Sequence, residues 1–262
     1  MRDTETRLHY LQAIGIDVWI SRLPSPSVPM EVEAGDFAGF RSAESMRSND
    51  EQETIAASEA TESIVPDIEV SPLEPYSEQA WVDLQEEVSA CRQCALCESR
   101  TQTVFGSGTA ESGWMVIGEA PGESEDRQGE PFVGRAGQLL TEMLRAIGLK
   151  RDDVFITNIL KCRPPNNRDP VAAEVEACSD YLHRQISWLK PKIILAVGRV
   201  AAQNLLKTDK TIGQLRAKVH SLDGIPLVVV YHPAYLLRSP LEKRKAWQDL
   251  QLALATFDEI KG

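Results

Sequence analysis

The sequence predicts an α/β protein: a three-layer αβα sandwich with a central, mainly parallel four-stranded sheet, preceded by a disordered acidic linker. Four apolar runs carry the prediction of strands: Trp114-Met115-Val116-Ile117, Val154-Phe155-Ile156-Thr157, Ile193 to Val197, and Leu227 to Tyr231. Continuous, β-branched-rich runs mark strands buried on both faces, as in a parallel sheet covered by helices. The segments between them have helical periodicity, with Leu139, Leu140, Met143, Leu144 and Ile147 after the first run. Charge supplies the third observation. The chain has a net charge of -11, but residues 1–90 hold 19 acidic and 5 basic side chains, which leaves residues 91–262 mildly basic.

In chain order, residues 1–22 place Leu8, Leu11 and Ile14 at helical spacing ahead of Ile16-Asp17-Val18-Trp19-Ile20. Such a unit is too small to bury its own core and reads as a docking peptide. Residues 23–76 open with Pro24, Pro26 and Pro29 and continue as a Ser/Glu/Ala-rich acidic run, the composition of a disordered linker. The folded domain is expected over residues 77–262. Ser77 is a suitable N-cap for a helix carrying Trp81, Leu84 and Val88. Further helices are expected over about Val171 to Trp188, from Val200, and from about Leu241 to the end.

No apolar run approaches the roughly 20 residues that span a bilayer. The opening Met-Arg-Asp-Thr-Glu-Thr-Arg lacks the apolar core of a signal peptide. A cytoplasmic protein without a membrane partner is expected. The mildly basic C-terminal part suits a local patch for DNA.

The stretch from Gly118 to Gly137 joins the first strand to the next helix and holds five glycines, two prolines, four Glu and an Asp. A loop of this length is more often functional than idle. In an open α/β sheet, ligands sit beyond the carboxyl ends of the strands. Those ends carry Gly118-Glu119-Ala120, Asn158, Gly198-Arg199 and His232-Pro233, which would converge on one crevice. The glycine spacing matches neither a P-loop nor a dinucleotide fingerprint, so nucleotide hydrolysis and hydride transfer lose ground.

The five cysteines are Cys91, Cys94, Cys97, Cys162 and Cys178. An odd number in a cytosolic chain disfavours a disulfide framework, and the Cys-Arg-Gln-Cys-Ala-Leu-Cys triplet points to a metal. Zinc is one reading, although only the first half has the spacing of a zinc knuckle.

From Cys91 to the C-terminus the chain resembles the family 4 uracil-DNA glycosylases, the iron-sulfur branch of their superfamily. The resemblance rests on ordered blocks: Cys-x-x-Cys, Gly-Glu-Ala-Pro-Gly with Gly-Glu-Pro-Phe-Val-Gly-Arg-Ala-Gly, Thr-Asn-Ile-Leu-Lys-Cys-Arg-Pro-Pro-Asn-Asn-Arg, and His-Pro-Ala-Tyr-Leu-Leu-Arg. It implies an enzyme that flips uracil out of DNA, hydrolyses its N-glycosidic bond and leaves an abasic site. It also implies a 4Fe-4S cluster on Cys91, Cys94, Cys162 and Cys178, with Cys97 as a spare thiol. The expected role of the cluster is structural.

On this reading Gly118, Glu119, Ala120, Phe132, Asn158 and His232 form the uracil pocket. Phe132 stacks on the base, and Asn158 presents its amide to N3-H and O4, a pairing that the amino group of cytosine spoils. His232 is the candidate donor to O2 of the departing uracil. Ala120 stands where family 1 of the superfamily has an Asp, so Glu119 and Glu125 are the candidates for handling the attacking water. Tyr235, Leu236 and Leu237 are candidate wedges into the DNA, with Arg238, Lys161, Arg163 and Arg168 on phosphates. A monomer is expected.

Residues 10–19 are similar to the start of the psi subunit of the bacterial replicative clamp loader, which implies the chi subunit as a partner; an intramolecular latch is the alternative. A non-catalytic or covalently trapping uracil-DNA-binding relative is the competing reading of the whole domain. The trapping branch carries a nucleophilic His that is lacking between Lys161 and Cys178.

Overall fold

The computed structural model describes residues 76–261. The docking peptide and all of the acidic linker but its last residue, Tyr76, lie outside the described residues. The chain opens with α1 (Glu78–Ala90), capped by Ser77, whose Oγ accepts from the Ala80 N–H at 3.0 Å. A short α2 (Leu96–Ser99) follows within the cysteine triplet, and then come β1 (Trp114–Gly118), α3 (Glu123–Gln128) and α4 (Arg135–Ala146). Next are β2 (Phe155–Asn158), α5 (Ala172–Leu189), β3 (Ile193–Val197), α6 (Arg199–Leu205) and α7 (Ile212–Leu215). The chain ends with β4 (Val219–Leu222), β5 (Ile225–Val230), α8 (Pro233–Arg238) and α9 (Lys243–Lys261).

The sheet order is β2-β1-β3-β5-β4. The four expected strands pair in parallel, and β4 adds a fifth, antiparallel to β5. The expected four-stranded sheet is therefore five-stranded. Asp223 and Gly224 join β4 to β5 with φ of 49° and 84°, the two positive values that a tight hairpin turn requires.

Successive strand residues face opposite layers, as the period of two demands. Trp114, Val116, Leu195, Val197, Val228 and Val230 pack with Leu140, Met143 and Leu144 of α4 and with Leu250 and Phe257 of α9. Met115, Ile117, Ile194, Ala196, Leu227 and Val229 pack instead with Leu84 and Val88 of α1, Tyr181 and Ile186 of α5, and Ala201 and Ala202 of α6. Each large apolar side chain so buried contributes about 1.5–3 kcal/mol. This double coverage makes the continuous apolar runs necessary: every position of β1, β2 and β3 is buried. Among the described residues no helix is long and apolar enough to cross a membrane.

Candidate active site

Parallel pairing places Gly118 directly beside Asn158 at the carboxyl ends of β1 and β2. The ladder runs on beyond them: the Ile159 N–H donates to Gly118 O at 3.0 Å and the Leu160 N–H to Glu119 O at 3.1 Å. A side chain at Gly118 would collide with Asn158 Oδ1 and with the Phe132 ring, so the glycine lets these two face each other. Asn158 is buried, and its Oδ1 has no hydrogen-bond partner. An unpaired buried acceptor costs about 1–3 kcal/mol, so this oxygen is held ready for a donor that a ligand brings.

Phe132 lies opposite, 7% exposed, its backbone at φ 53° in the left-handed region. The tight turn is possible because residue 137 is glycine: any Cβ there would strike the Phe132 carbonyl. Glu125 closes the same loop. Its Oε1 accepts from the N–H groups of Val133 at 2.9 Å and Gly134 at 3.0 Å. Thus part of the expected long loop is a helix, α3, whose Glu125 fastens the segment bearing Phe132 to the start of α4.

His232 enters from the end of β5. Its Nδ1 accepts from the Ala234 N–H at 3.1 Å and so caps α8, which leaves the ring proton on Nε2. The ring lies 5.8 Å from Phe132, centroid to centroid. Burial, reinforced by the Arg238 charge, pushes its pKa down to about 4, so the imidazole is neutral at ordinary pH. The capping role and the donor role are thus compatible, because they use different nitrogens.

These groups line a cleft of about 720 Å³ together with Glu119, Ala120, Glu125, Arg168, Tyr235 and Arg238. Burial pushes the Glu119 carboxyl up to about 7; Asp169 pushes the same way and Arg199 opposes. Arg199, expected at the crevice as a strand-end residue but given no role there, forms an ion pair at 2.6 Å on the wall of the cleft with Asp169, which no sequence pattern singled out. Tyr231, also on the wall, stacks on Tyr235 with 5.1 Å between ring centroids and lies under the Arg216 guanidinium. Its only sequence signal was its place one residue before His232.

Two expected DNA contacts are overturned. Lys161 is 1% exposed, and its ammonium donates to Thr157 Oγ1 at 2.7 Å, Asn158 O at 2.9 Å and Gln185 Oε1 at 2.7 Å. It cannot reach a phosphate. Leu236 is 1% exposed because the inward face of α8 packs on the core, so it cannot enter DNA as a wedge. Tyr235, Leu237 and Arg238 are exposed on the same helix. Arg163 is half-buried and donates to Asn167 Oδ1 at 2.7 Å. Arg168 is engaged by both carboxylate oxygens of Glu174, at 2.6 and 2.9 Å.

On the far side of β2, all five cysteines are free thiols, with Cys162 and Cys178 buried. Arg100, which no sequence pattern singles out, donates to Cys162 Sγ at 3.0 Å and to Cys91 O at 2.8 Å. The Lys161 N–H donates to Cys178 Sγ at 3.5 Å. Burial pushes the Cys162 thiol up to about 11, against the pull of Arg100, and the nearby Cys178 and Cys94 raise it further. Cys178 is likewise raised by burial, and Cys94 and Cys91 act on it in the same direction. Cys162 and Cys178 thus lie within electrostatic reach of each other and of Cys94, and Cys178 also within reach of Cys91. Among the described residues no three His, Cys, Asp or Glu side chains meet as the ligands of one ion would. A four-iron cluster spreads its thiolates wider than a single zinc ion does, and hydrogen bonds to the sulfurs suit it.

A family model described as the uracil DNA glycosylase superfamily matches residues 105–251. The chain is 48% identical over 166 residues to the type-4 uracil-DNA glycosylase of Archaeoglobus fulgidus, covering 60% of this chain and 83% of that one. It is 45% identical over 177 residues to the Pyrobaculum aerophilum type-4 enzyme, with 64% and 90% coverage, and 43% identical over 158 residues to that of Thermotoga maritima, with 60% and 82% coverage. A strand-end pocket built on Gly118, Phe132, Asn158 and His232, and this similarity over most of the length of each relative, lead to one conclusion: the chain belongs to the uracil-DNA glycosylase superfamily and, within it, to the type-4 enzymes.

Proposed function

We propose that this protein is a DNA repair enzyme that extrudes uracil from DNA and hydrolyses its N-glycosidic bond, releasing free uracil and leaving an abasic site. The observation that carries this reading is the buried, unpartnered Oδ1 of Asn158, facing the Phe132 ring across a residue that must be glycine. Uracil stacked on Phe132 offers its N3-H to that oxygen, and the amide nitrogen donates to O4. Cytosine presents an acceptor at N3 and an amino group at C4, leaving both groups mismatched.

As the bond to the sugar breaks, positive charge grows on the sugar and negative charge on the base. The neutral His232 donates Nε2–H toward uracil O2, where that negative charge collects. Glu119, ionising near neutral pH, orients the water and receives its proton as oxygen attacks the anomeric carbon. Glu125 contributes by fixing the loop that carries Phe132. Tyr235, Leu237 and Arg238 meet the DNA strand, with Arg163 and Arg168 beside them.

Cys91, Cys94, Cys162 and Cys178 would hold a 4Fe-4S cluster, which would cross-link the segment after α1 to the segments bearing Cys162 and Cys178. Residues 1–22 would tether the domain to the chi subunit of the clamp loader, and the enzyme would act as a cytoplasmic monomer.

The test is release of free uracil from a single-stranded uracil oligonucleotide by purified, iron-loaded protein. Release is expected, with Asn158→Ala lowering kcat/KM by about 100-fold or more. Binding without release would favour a non-catalytic relative, and a covalent protein-DNA adduct would favour a trapping one. Full activity of Asn158→Ala would sink the recognition scheme.

A further inference from the structure

The geometry points to Lys161 as the residue that positions Asn158, linking the thiol site to the uracil pocket. The inference rests on the reading of Asn158 as the group that recognises uracil. Lys161 is buried, yet among the described residues no carboxylate pairs with it. Its three ammonium protons go to three neutral acceptors: Thr157 Oγ1, Asn158 O and Gln185 Oε1.

These acceptors are themselves held. Thr157 Oγ1 donates to Phe105 O at 2.8 Å, and Gln185 Nε2 donates to the same oxygen at 3.0 Å. The backbone of Lys161 is fixed at both ends, by Lys161 N–H to Cys178 Sγ at 3.5 Å and by Val104 N–H to Lys161 O at 2.8 Å.

Burying an ammonium in this way is costly, and a core that needed only stability would be served as well by an apolar side chain. What the ammonium adds is a hold on the backbone carbonyl of Asn158 itself, the residue whose side-chain oxygen is left unpaired. Strand β2 ends there; the Ile159 N–H of the same peptide donates to Gly118 O at 3.0 Å, and the ammonium holds the opposite side of that peptide, the Asn158 carbonyl. With the carbonyl clasped from below, the side chain has one direction in which to point. A displacement of about 1 Å at such a group costs on the order of 100-fold in rate.

The experiment is a double-mutant cycle on the full chain with Asn158→Ala, Lys161→Met and the double variant, read as kcat and KM on a single-stranded uracil oligonucleotide. Iron content and melting temperature are recorded for each. Lys161→Met is expected to lower kcat by about 100-fold with little change in KM. The double variant should be no slower than Asn158→Ala alone.

Thr157→Val, which removes one acceptor and keeps the ammonium, serves if Lys161→Met does not fold or loses iron. It should show a smaller loss that likewise vanishes in the Asn158→Ala background. Losses that multiply across the two sites, for Lys161→Met or, where it fails, for Thr157→Val, would overturn the inference and leave Lys161 as part of the core only. A rise in KM with a changed salt slope would do the same by restoring a phosphate role. An inactive parent protein would instead sink the functional reading itself.

Discussion

His232 and Glu119 occupy one cleft, and burial moves the pKa of each to favour its neutral form, the imidazole falling to about 4 and the carboxyl rising to about 7. The consequences for the rate differ. His232 has already lost its second proton throughout the range from pH 5 to 9, so it adds no limb to the profile there. Glu119 is protonated below about 7 and cannot take a proton from water, so kcat/KM should fall by about tenfold per pH unit on the acid side and level off above. Rates measured across that range should lose the acid limb in Glu119→Gln; a limb that persists in the variant would assign the titration to another group. Folding carries the opposite sign. A carboxyl whose folded pKa is raised binds its proton more tightly in the folded state, so this residue's contribution to stability declines as pH rises from the ordinary carboxylate range through about 7.

At the scale of elements, the stretch between β1 and α4 is where sequence pattern said least. Six residues, Glu123–Gln128, form α3 without any apolar periodicity to announce it. The helix exists because Glu125 can bind two backbone N–H groups at the start of α4, a tertiary arrangement. Glu125→Gln keeps an oxygen acceptor and should retain most of the activity, whereas Glu125→Ala should release the Phe132 loop and lower kcat/KM by at least about tenfold. Kinetics of the two variants on one oligonucleotide separate loop-holding from proton transfer, since a true base would be lost in both.

A second tie joins α9 to the segment before β4. Asp249 is fully buried and accepts from Arg216 Nε and Nη2 and from the Ala217 N–H, each at 3.0 Å. Removing one partner of a buried pair costs about 3–5 kcal/mol. Asp249→Ala should therefore lower the melting temperature by about 10 °C, as a thermal unfolding curve would record. Strand β4 itself escaped the sequence reading because its residues alternate between exposed and half-buried at the sheet edge. The Asp223-Gly224 dipeptide, a sequence pair that favours tight hairpin turns, is the local signal that could have found it.

For the whole molecule, the four thiols proposed to hold the cluster come from elements far apart in the chain: Cys91 and Cys94 follow α1, Cys162 follows β2, and Cys178 lies within α5. Anaerobically purified protein should contain about four irons per chain. Cys162→Ser should lose them and expose α1 to proteolysis, which iron analysis and limited digestion would reveal; iron-free wild-type protein with an intact α1 would count against the cluster.

The layered α/β class, the four parallel strands, the strand ends that meet at the cleft and the family are all legible in the amino-acid sequence. These depend on local periodicity and on residues such as Gly118, Asn158 and His232 whose spacing is fixed along the chain. Which charges are surface and which are core follows from the packing of the folded chain. Lys161 and Arg163 stand two residues apart and look alike in sequence, yet one ammonium is closed over by Thr157, Asn158 and Gln185 while the other side chain is half-exposed. Leu236 and Leu237 separate in the same way across the two faces of α8. Burial is set by what packs over a residue, and those neighbours come from parts of the chain that no local pattern specifies.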